Sequence, residues 1–309
     1  MNIPLVVARG VQYLSSWVMA GGFAFLAFVL LRDRRGPAAA TGSFLRWLRI
    51  CLAASAVLSI ASAALWSCCE SAAMNDLPIG DAWHWNAMGP VLQETNFGHI
   101  CLVRIGLEVV LAGFVAVVCL SSKAALSQPV AAAAWLVASV DLAALAQIGH
   151  AAASRSTAFM ASDIVHLIAS GVWPGSLVPL LLFLVAATKS RDFLLDVPIV
   201  TRRFSNLSLF VVATLTASGL INATSVLPSV GALWHTHYGV FLLIKLALFL
   251  LMLLFAALNL LRVTPNLAPG EEPKGGIFAA LRRNVSCEVV IGIAIAGVVA
   301  MLGMTAPPR

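Results

Sequence analysis

The amino-acid sequence predicts an all-α fold, a polytopic membrane helix bundle of about eight transmembrane helices. Of its 309 residues, 61% are hydrophobic and only 10% are charged, whereas a soluble domain carries about 25% charged residues. A membrane-spanning helix needs roughly 20 apolar residues. Runs of this kind lie at about 7–31, 48–68, 99–120, 129–149, 163–187, 205–227, 239–261 and 286–304.

The placement of basic residues predicts the orientation of these helices. The gaps after the first, third, fifth and seventh runs carry most of the lysines and arginines, among them Arg32, Arg49, Lys189, Arg203 and Arg283. Because basic loops face the cytoplasm, we expect a multi-pass protein of the inner (plasma) membrane with both termini on the periplasmic side. The net charge of +6 then reflects the topology of the chain in the membrane. We therefore expect the protein to interact with the lipid bilayer and not with nucleic acid. The first run is too long for a signal peptide, and we expect it to be retained.

Three segments follow one another along the chain. We expect an N-terminal three-helix segment (1–128) with an outer loop at 69–98, a central helical hairpin (129–200) and a C-terminal three-helix region (201–309). A short motif occurs twice, as Thr95-Asn96-Phe97-Gly98 followed by Arg104 and as Thr236-His237-Tyr238-Gly239 followed by Lys245. Each copy opens a run that enters from the outer side, and each threonine is a good N-cap. The copies are four runs apart, which suggests two parallel four-helix halves.

A few charged residues lie at membrane depth. Arg104 and Glu108 are four residues apart and can pair along one helix face. Asp141 has no partner within its own helix, and Arg104 and Lys245 are the candidates for it. Such residues are rare in membranes and mark either functional pathways or structural ion pairs.

All six histidines are predicted to lie on the outer side of the membrane: His84, His99, His150, His166, His235 and His237. Neutral imidazole is the commonest transition-metal ligand, so this shared location favours a metal site over six unrelated interfacial residues. His150 and His166 bracket the short turn between the fourth and fifth runs, where their side chains can converge. Asp163 precedes His166 on the same helix face, where it can fix the imidazole tautomer or bind the metal directly.

Further donors complete the predicted set. His99 starts the third run, Met160 lies close to the turn that precedes His166, and His235 and His237 lie in the loop before the seventh run. Nitrogen donors with a thioether suit copper, and Cu(I) is favoured as sulfur is added. We therefore expect a copper ion, Cu(I) or Cu(II), at an outward-facing site. The sequence has no nucleotide-binding signature, so it predicts neither an ATP-driven pump nor an enzyme.

Several short stretches carry a family resemblance. They are Arg202-Arg203-Phe204-Ser205, Ser218-Gly219-Leu220-Ile221-Asn222, Tyr238-Gly239, Lys245-Leu246-Ala247-Leu248-Phe249, Asn259 and Leu281-Arg282-Arg283, with Gly149-His150-Ala151 and His166 to Trp173-Pro174-Gly175 upstream. In order and spacing they resemble the copper resistance protein D (CopD) family of bacterial inner-membrane copper proteins. The resemblance is looser in the first third of the chain, and Trp173 is followed by proline where the family typically has glycine. It implies copper handling across the inner membrane, often beside a periplasmic copper-binding protein (CopC).

The leading hypothesis is a protein that moves copper from the periplasm into the cytoplasm through an outward-facing histidine site. One alternative is a b-type membrane cytochrome in which two histidines ligate haem, although His235 and His237 would then have no role. Another is a non-transporting docking scaffold for a periplasmic copper carrier.

Overall fold

The structure, a computed structural model, describes residues 2–31, 42–120, 127–148, 156–227, 229 and 231–306, and every regular element in these ranges is helical. The α-helices are α1 (Ile3–Ala24), α2 (Ser43–Asn75), α3 (Trp85–Glu94), α4 (Asn96–Leu120), α5 (Gln128–Ala144), α6 (Thr157–Ala187), α7 (Arg191–Val226), α8 (Ala232–His235), α9 (His237–Leu258) and α10 (Gly275–Leu302). Short π or 3-10 segments extend α1 (Phe25–Leu30), α5 (Leu145–Ile148) and α9 (Asn259–Val263, then Thr264–Asn266). The all-α prediction is confirmed.

Eight helices in the described ranges are long and apolar enough to cross a membrane, as the sequence predicts. They span Ile3–Leu30, Ser43–Asn75, Asn96–Leu120, Gln128–Ile148, Thr157–Ala187, Arg191–Val226, His237–Asn266 and Gly275–Leu302. The largest difference from the predicted runs is at α7, which begins at Arg191 and not near residue 205. Its first turns contain Asp192, Asp196 and Arg202. Hydropathy detects only the apolar part of a helix, which lies within the lipid. It therefore does not predict the polar turns by which α7 extends beyond that part.

The central helix of the bundle is α1. It packs against α2, α5, α6 and α10, and 78% of its most apolar stretch is buried. Where α1 crosses α6, the backbones touch: a Cβ atom added at Gly175 would lie 1.8 Å from the carbonyl oxygen of Trp17. Beside this contact the Ser176 hydroxyl donates to the carbonyl oxygen of Gly21 at 2.9 Å. Small residues permit this close approach of two membrane helices.

The repeated Thr-x-aromatic-Gly motif has the same geometry in both copies. The Thr95 hydroxyl donates to the carbonyl oxygen of Val91 at 2.6 Å and accepts from the amide of Gly98 at 3.0 Å. Thr236 makes the matching bonds at 2.7 and 2.9 Å. Each threonine thus links a short helix, α3 or α8, to the spanning helix that follows. A Cβ atom at Gly98 or Gly239 would lie 2.1 or 2.3 Å from the carbonyl oxygen that the threonine binds, so glycine is required there.

The helix α9 has the least burial of the described spanning helices, with 6% of its most apolar stretch buried. It packs mainly against α10. A cavity of about 170 Å³ lies between α6, α7, α9 and α10, lined in part by Trp173, Thr201, Ser208 and Glu288. The second set of four spanning helices is therefore packed more loosely than the first.

The two ends of the bundle differ in chemistry. We call the end at which α1, α4, α6 and α9 begin the histidine face, and the end at which they finish the basic face. The cavity described above lies toward the basic face. In the predicted orientation the histidine face meets the periplasm and the basic face meets the cytoplasm.

Candidate functional site

Near the histidine face, three helices bring polar side chains together around one imidazole. The helix α6 contributes Asp163 and His166, α7 contributes Ser218 and Asn222, and α9 contributes Lys245. His166 Nδ1 lies 3.1 Å from the hydroxyl oxygen of Ser218. We call these five residues the His166 site. It lies between membrane-spanning helices, where ionisable side chains are expensive to place and commonly functional.

Ser218 and the backbone of Leu215 are hydrogen-bond partners of the His166 ring. The Ser218 hydroxyl reaches the carbonyl oxygen of Thr214 at 2.8 Å and that of Leu215 at 3.2 Å. With its single hydrogen on either carbonyl, its oxygen accepts from Nδ1, and this arrangement favours the tautomer with the proton on Nδ1 and a lone pair on Nε2. Gly219 lets the ring lie against α7, since a Cβ atom there would be 3.2 Å from His166 Cε1. A histidine whose Nδ1 donates to a protein group and whose Nε2 has a lone pair is suited to bind a metal.

Asp163 has different partners from the imidazole. Its Oδ1 accepts from the Asn222 amide at 3.1 Å, and Lys245 acts on it as the opposite charge. The side chain that bonds the imidazole is thus Ser218, whereas Asp163 bonds Asn222. Direct binding of a metal remains the prediction for this carboxylate.

The other predicted ligands lie on separate elements of the histidine face. His99 is exposed on the first turn of α4, where its Nε2 lies 2.7 Å from a backbone carbonyl oxygen. Met160 is half-buried at the start of α6, while His235 and His237 are exposed on α8 and at the first residue of α9. His150 lies outside the described residues. Within the described ranges, no three His, Cys, Asp or Glu side chains lie close enough to hold a metal ion, so the complete ligand set remains a prediction.

A second polar cluster is buried between α1, α2, α4 and α5. Arg104 donates to both carboxylate oxygens of Asp141, at 3.0 and 3.1 Å, and lies 3.5 Å from Glu108. None of the three residues is more than 3% exposed. Both pairings of Arg104 that the sequence predicts are confirmed, whereas Lys245, the other candidate partner of Asp141, belongs to the His166 site.

Uncharged side chains from α1 and α2 complete this second cluster. Gln12 donates to Glu108 at 2.5 Å and Ser59 donates to it at 2.8 Å, while Ser62 donates to the Gln12 carbonyl oxygen at 2.6 Å. We call Gln12, Ser59, Arg104, Glu108 and Asp141 the Glu108 cluster. Sequence reasoning missed its uncharged members, because a serine in a helix commonly bonds its own backbone. Gln12 is the residue of the sequence that could have indicated this cluster, since a side-chain amide at membrane depth must find hydrogen-bond partners.

Two stretches of the chain match known protein families. Residues 1–160 match the family described as copper resistance protein D-like, N-terminal domain, and residues 198–302 match the family described as copper resistance protein D. The second stretch contains all the α7 and α9 residues of the His166 site.

Two characterised proteins are similar to the chain. It is 33% identical over 155 residues to the copper transport protein CutJ of Bacillus subtilis (strain 168), a match that covers 50% of this chain and 27% of that protein. It is 32% identical over 183 residues to copper resistance protein D of Pseudomonas syringae pv. tomato, covering 56% of this chain and 58% of that protein. The chain thus spans less than two thirds of either relative. No solved structure matches it.

Proposed function

Because the chain belongs to the copper resistance protein D family, we propose that it binds copper at the histidine face and carries it across the membrane. The observation that carries this proposal is the His166 site. Ser218, from the stretch that matches the family, bonds Nδ1 of the imidazole, and this bond supports Nε2 as the nitrogen that binds the metal. The name of the relative CutJ, a copper transport protein, supports copper as the cargo.

The proposed ligands are those of the histidine face. We assign His166, His150 and His99 to the binding site, with Asp163 and Met160 beside His166. His235 and His237 lie exposed on the neighbouring α8 and α9, where they serve as donors that capture copper before it reaches the site. Imidazole with one thioether is compatible with either Cu(I) or Cu(II).

The direction that we favour is from the histidine face to the basic face, that is, from the periplasm into the cytoplasm. In the predicted orientation the proposed ligands lie where periplasmic copper would arrive, and the basic loops support a cytoplasmic location for the opposite face. A periplasmic copper-binding protein is the expected donor, and it would dock on the outer ends of the helices.

Copper titration of the purified protein in detergent tests the binding site. We expect the double variant His150→Ala, His166→Ala to lose most of its copper binding. His84→Ala is the matched control, because His84 is an exposed N-cap residue of α3 that is absent from the proposed site. A double variant with unchanged stoichiometry and affinity would refute the assignment. A Soret band with stoichiometric haem would instead favour the cytochrome.

Copper uptake into proteoliposomes tests transport separately from binding. The wild-type protein should move copper into the lumen, and the double variant should not. Copper that stays bound at the outer face without entering would identify a docking scaffold.

A further inference from the structure

We propose that Glu108 is an exchangeable proton site inside the membrane, and that its proton is coupled to copper movement. The first part stands on the Glu108 cluster alone. The second part rests on the transport function proposed above. Both concern a part of the bundle that is separate from the His166 site, since the cluster is formed by α1, α2, α4 and α5.

The two carboxylate oxygens of Glu108 have very different surroundings. Oε1 accepts hydrogen bonds from Gln12 and Ser59 and lies 3.5 Å from Arg104. Oε2 is buried and has no hydrogen-bond partner among the described residues. A carboxylate oxygen that is buried and has no protein partner is costly, because no neighbouring group compensates its charge. A proton on Oε2 neutralises that charge without disturbing the bonds to Oε1.

The cluster around Glu108 also contains one more carboxylate than it has cations. Two carboxylates, Glu108 and Asp141, face a single cation, Arg104, and Asp141 takes two of its hydrogen bonds. The thiol of Cys101, on the turn of α4 toward the histidine face, is a further titratable group near the cluster, and the charges of Arg104 and Glu108 act on it. The residues that α1 and α2 direct at Glu108 are the uncharged Gln12 and Ser59. With both carboxylates ionised the cluster would have a net charge of −1, which the membrane interior strongly disfavours.

A small cavity adjoins Glu108. It has a volume of about 10 Å³ and is lined by Glu108, Asp141, Ser16 and Ser59, with Met19 and Ala138 on its apolar side. A polar cavity of this size has room for about one water molecule, which could relay the proton. The exchange is a simple acid–base step: the Oε2–H bond breaks, water carries the proton to the bulk solvent as hydronium, and Glu108 becomes a carboxylate. No electron transfer is involved.

The charge balance is the basis of the proposed coupling to copper. A copper cation that passes the deprotonated cluster would supply the positive charge that it lacks, so loss of the proton and passage of the cation would favour each other. The exchange would then be an antiport, with one proton leaving the cluster as one cation passes. At equilibrium, such one-for-one coupling changes the copper concentration ratio about tenfold for each unit of pH gradient, or about 1.4 kcal/mol.

Infrared difference spectroscopy tests the proton directly. The wild-type protein near neutral pH should show a carbonyl-stretch band of a protonated carboxyl group that shifts in heavy water and is absent from Glu108→Gln. Glutamine keeps the Oε1 acceptor and resembles the protonated acid, so this variant should fold normally. Glu288→Gln is the control, since Glu288 is a buried carboxyl on α10 that is bonded to Asn259 at 2.9 Å. If the wild-type spectrum minus that of Glu108→Gln shows only carboxylate bands, the proton site is wrong.

Copper flux in proteoliposomes tests the coupling. An imposed gradient of one pH unit should change the steady-state copper ratio of the wild-type protein about tenfold, whereas Glu108→Gln should show downhill flux that ignores the gradient. A variant that follows the gradient like the wild-type protein would overturn the coupling. If the wild-type protein carries no copper at all, the transport proposal and the coupling fail together, while the infrared result still decides whether Glu108 holds a proton.

Discussion

The hydrogen bond between Ser218 and His166 allows a specific test of the copper site. In Ser218→Ala, His166 Nδ1 loses its side-chain partner at 3.1 Å and the backbone of Leu215 remains, so the ring is held less firmly in the tautomer that leaves Nε2, the nitrogen assigned to copper, unprotonated. Loss of an outer partner of a metal-binding histidine typically costs 10–100-fold in affinity. Because this bond joins two neutral groups, whose net contribution is about 1 kcal/mol, we expect the lower end of that range. The expected loss is about tenfold, or roughly 1.4 kcal/mol.

Competition for Cu(I) between the protein and a coloured chelator measures this change. Ser162→Ala is the matched control, because Ser162 also joins α6 to α7, through the Ser218 carbonyl oxygen at 3.2 Å, without touching the imidazole. Ser218→Thr should restore most of the affinity, since threonine retains a hydroxyl that can bond the preceding turn of the helix. If Ser218→Ala binds copper as tightly as the wild-type protein while His166→Ala does not, the role assigned to Ser218 is wrong.

Three further predictions concern packing and pH. Gly175→Ala should lower the free energy of unfolding by about 1–3 kcal/mol, because the new methyl group would lie 1.8 Å from a backbone oxygen of α1; thermal unfolding in detergent measures this. Gly239→Ala should be similarly destabilising, whereas the control Gly106→Ala, which has nothing within 4 Å of the added atom, should stabilise its helix by up to about 1 kcal/mol. Copper affinity should fall between pH 7.5 and pH 5, since copper must compete with protons for the solvent-exposed imidazoles of the histidine face, and free imidazole titrates at about 6.5. Equal affinities at the two pH values would remove the exposed imidazoles from the site and point to sulfur donors such as Met160.

The bilayer explains why so much of the fold was predictable. A spanning segment must be helical and apolar over a fixed length, so eight runs of sequence correspond to eight helices. The pairing of Arg104 with Asp141 could be predicted for a related reason, since charged side chains at membrane depth need partners. The bond between Ser218 and His166 was not predictable, because it depends on how α6 and α7 pack. A serine that also bonds its own helix gives no sign in the sequence of a second partner.

The loose packing of α9 has a mechanical consequence for the His166 site. This helix carries Lys245, the cation that acts on Asp163, and it is the least supported of the described spanning helices, with an unfilled cavity beside it. A helix with few neighbours is displaced at low cost, and the interaction between two charges changes with their separation. A small tilt of α9 would therefore change the distance between Lys245 and Asp163, and with it the charge interaction between them. At the proposed copper site, this change would strengthen or weaken the attraction of the carboxylate for a metal without moving the carboxylate itself.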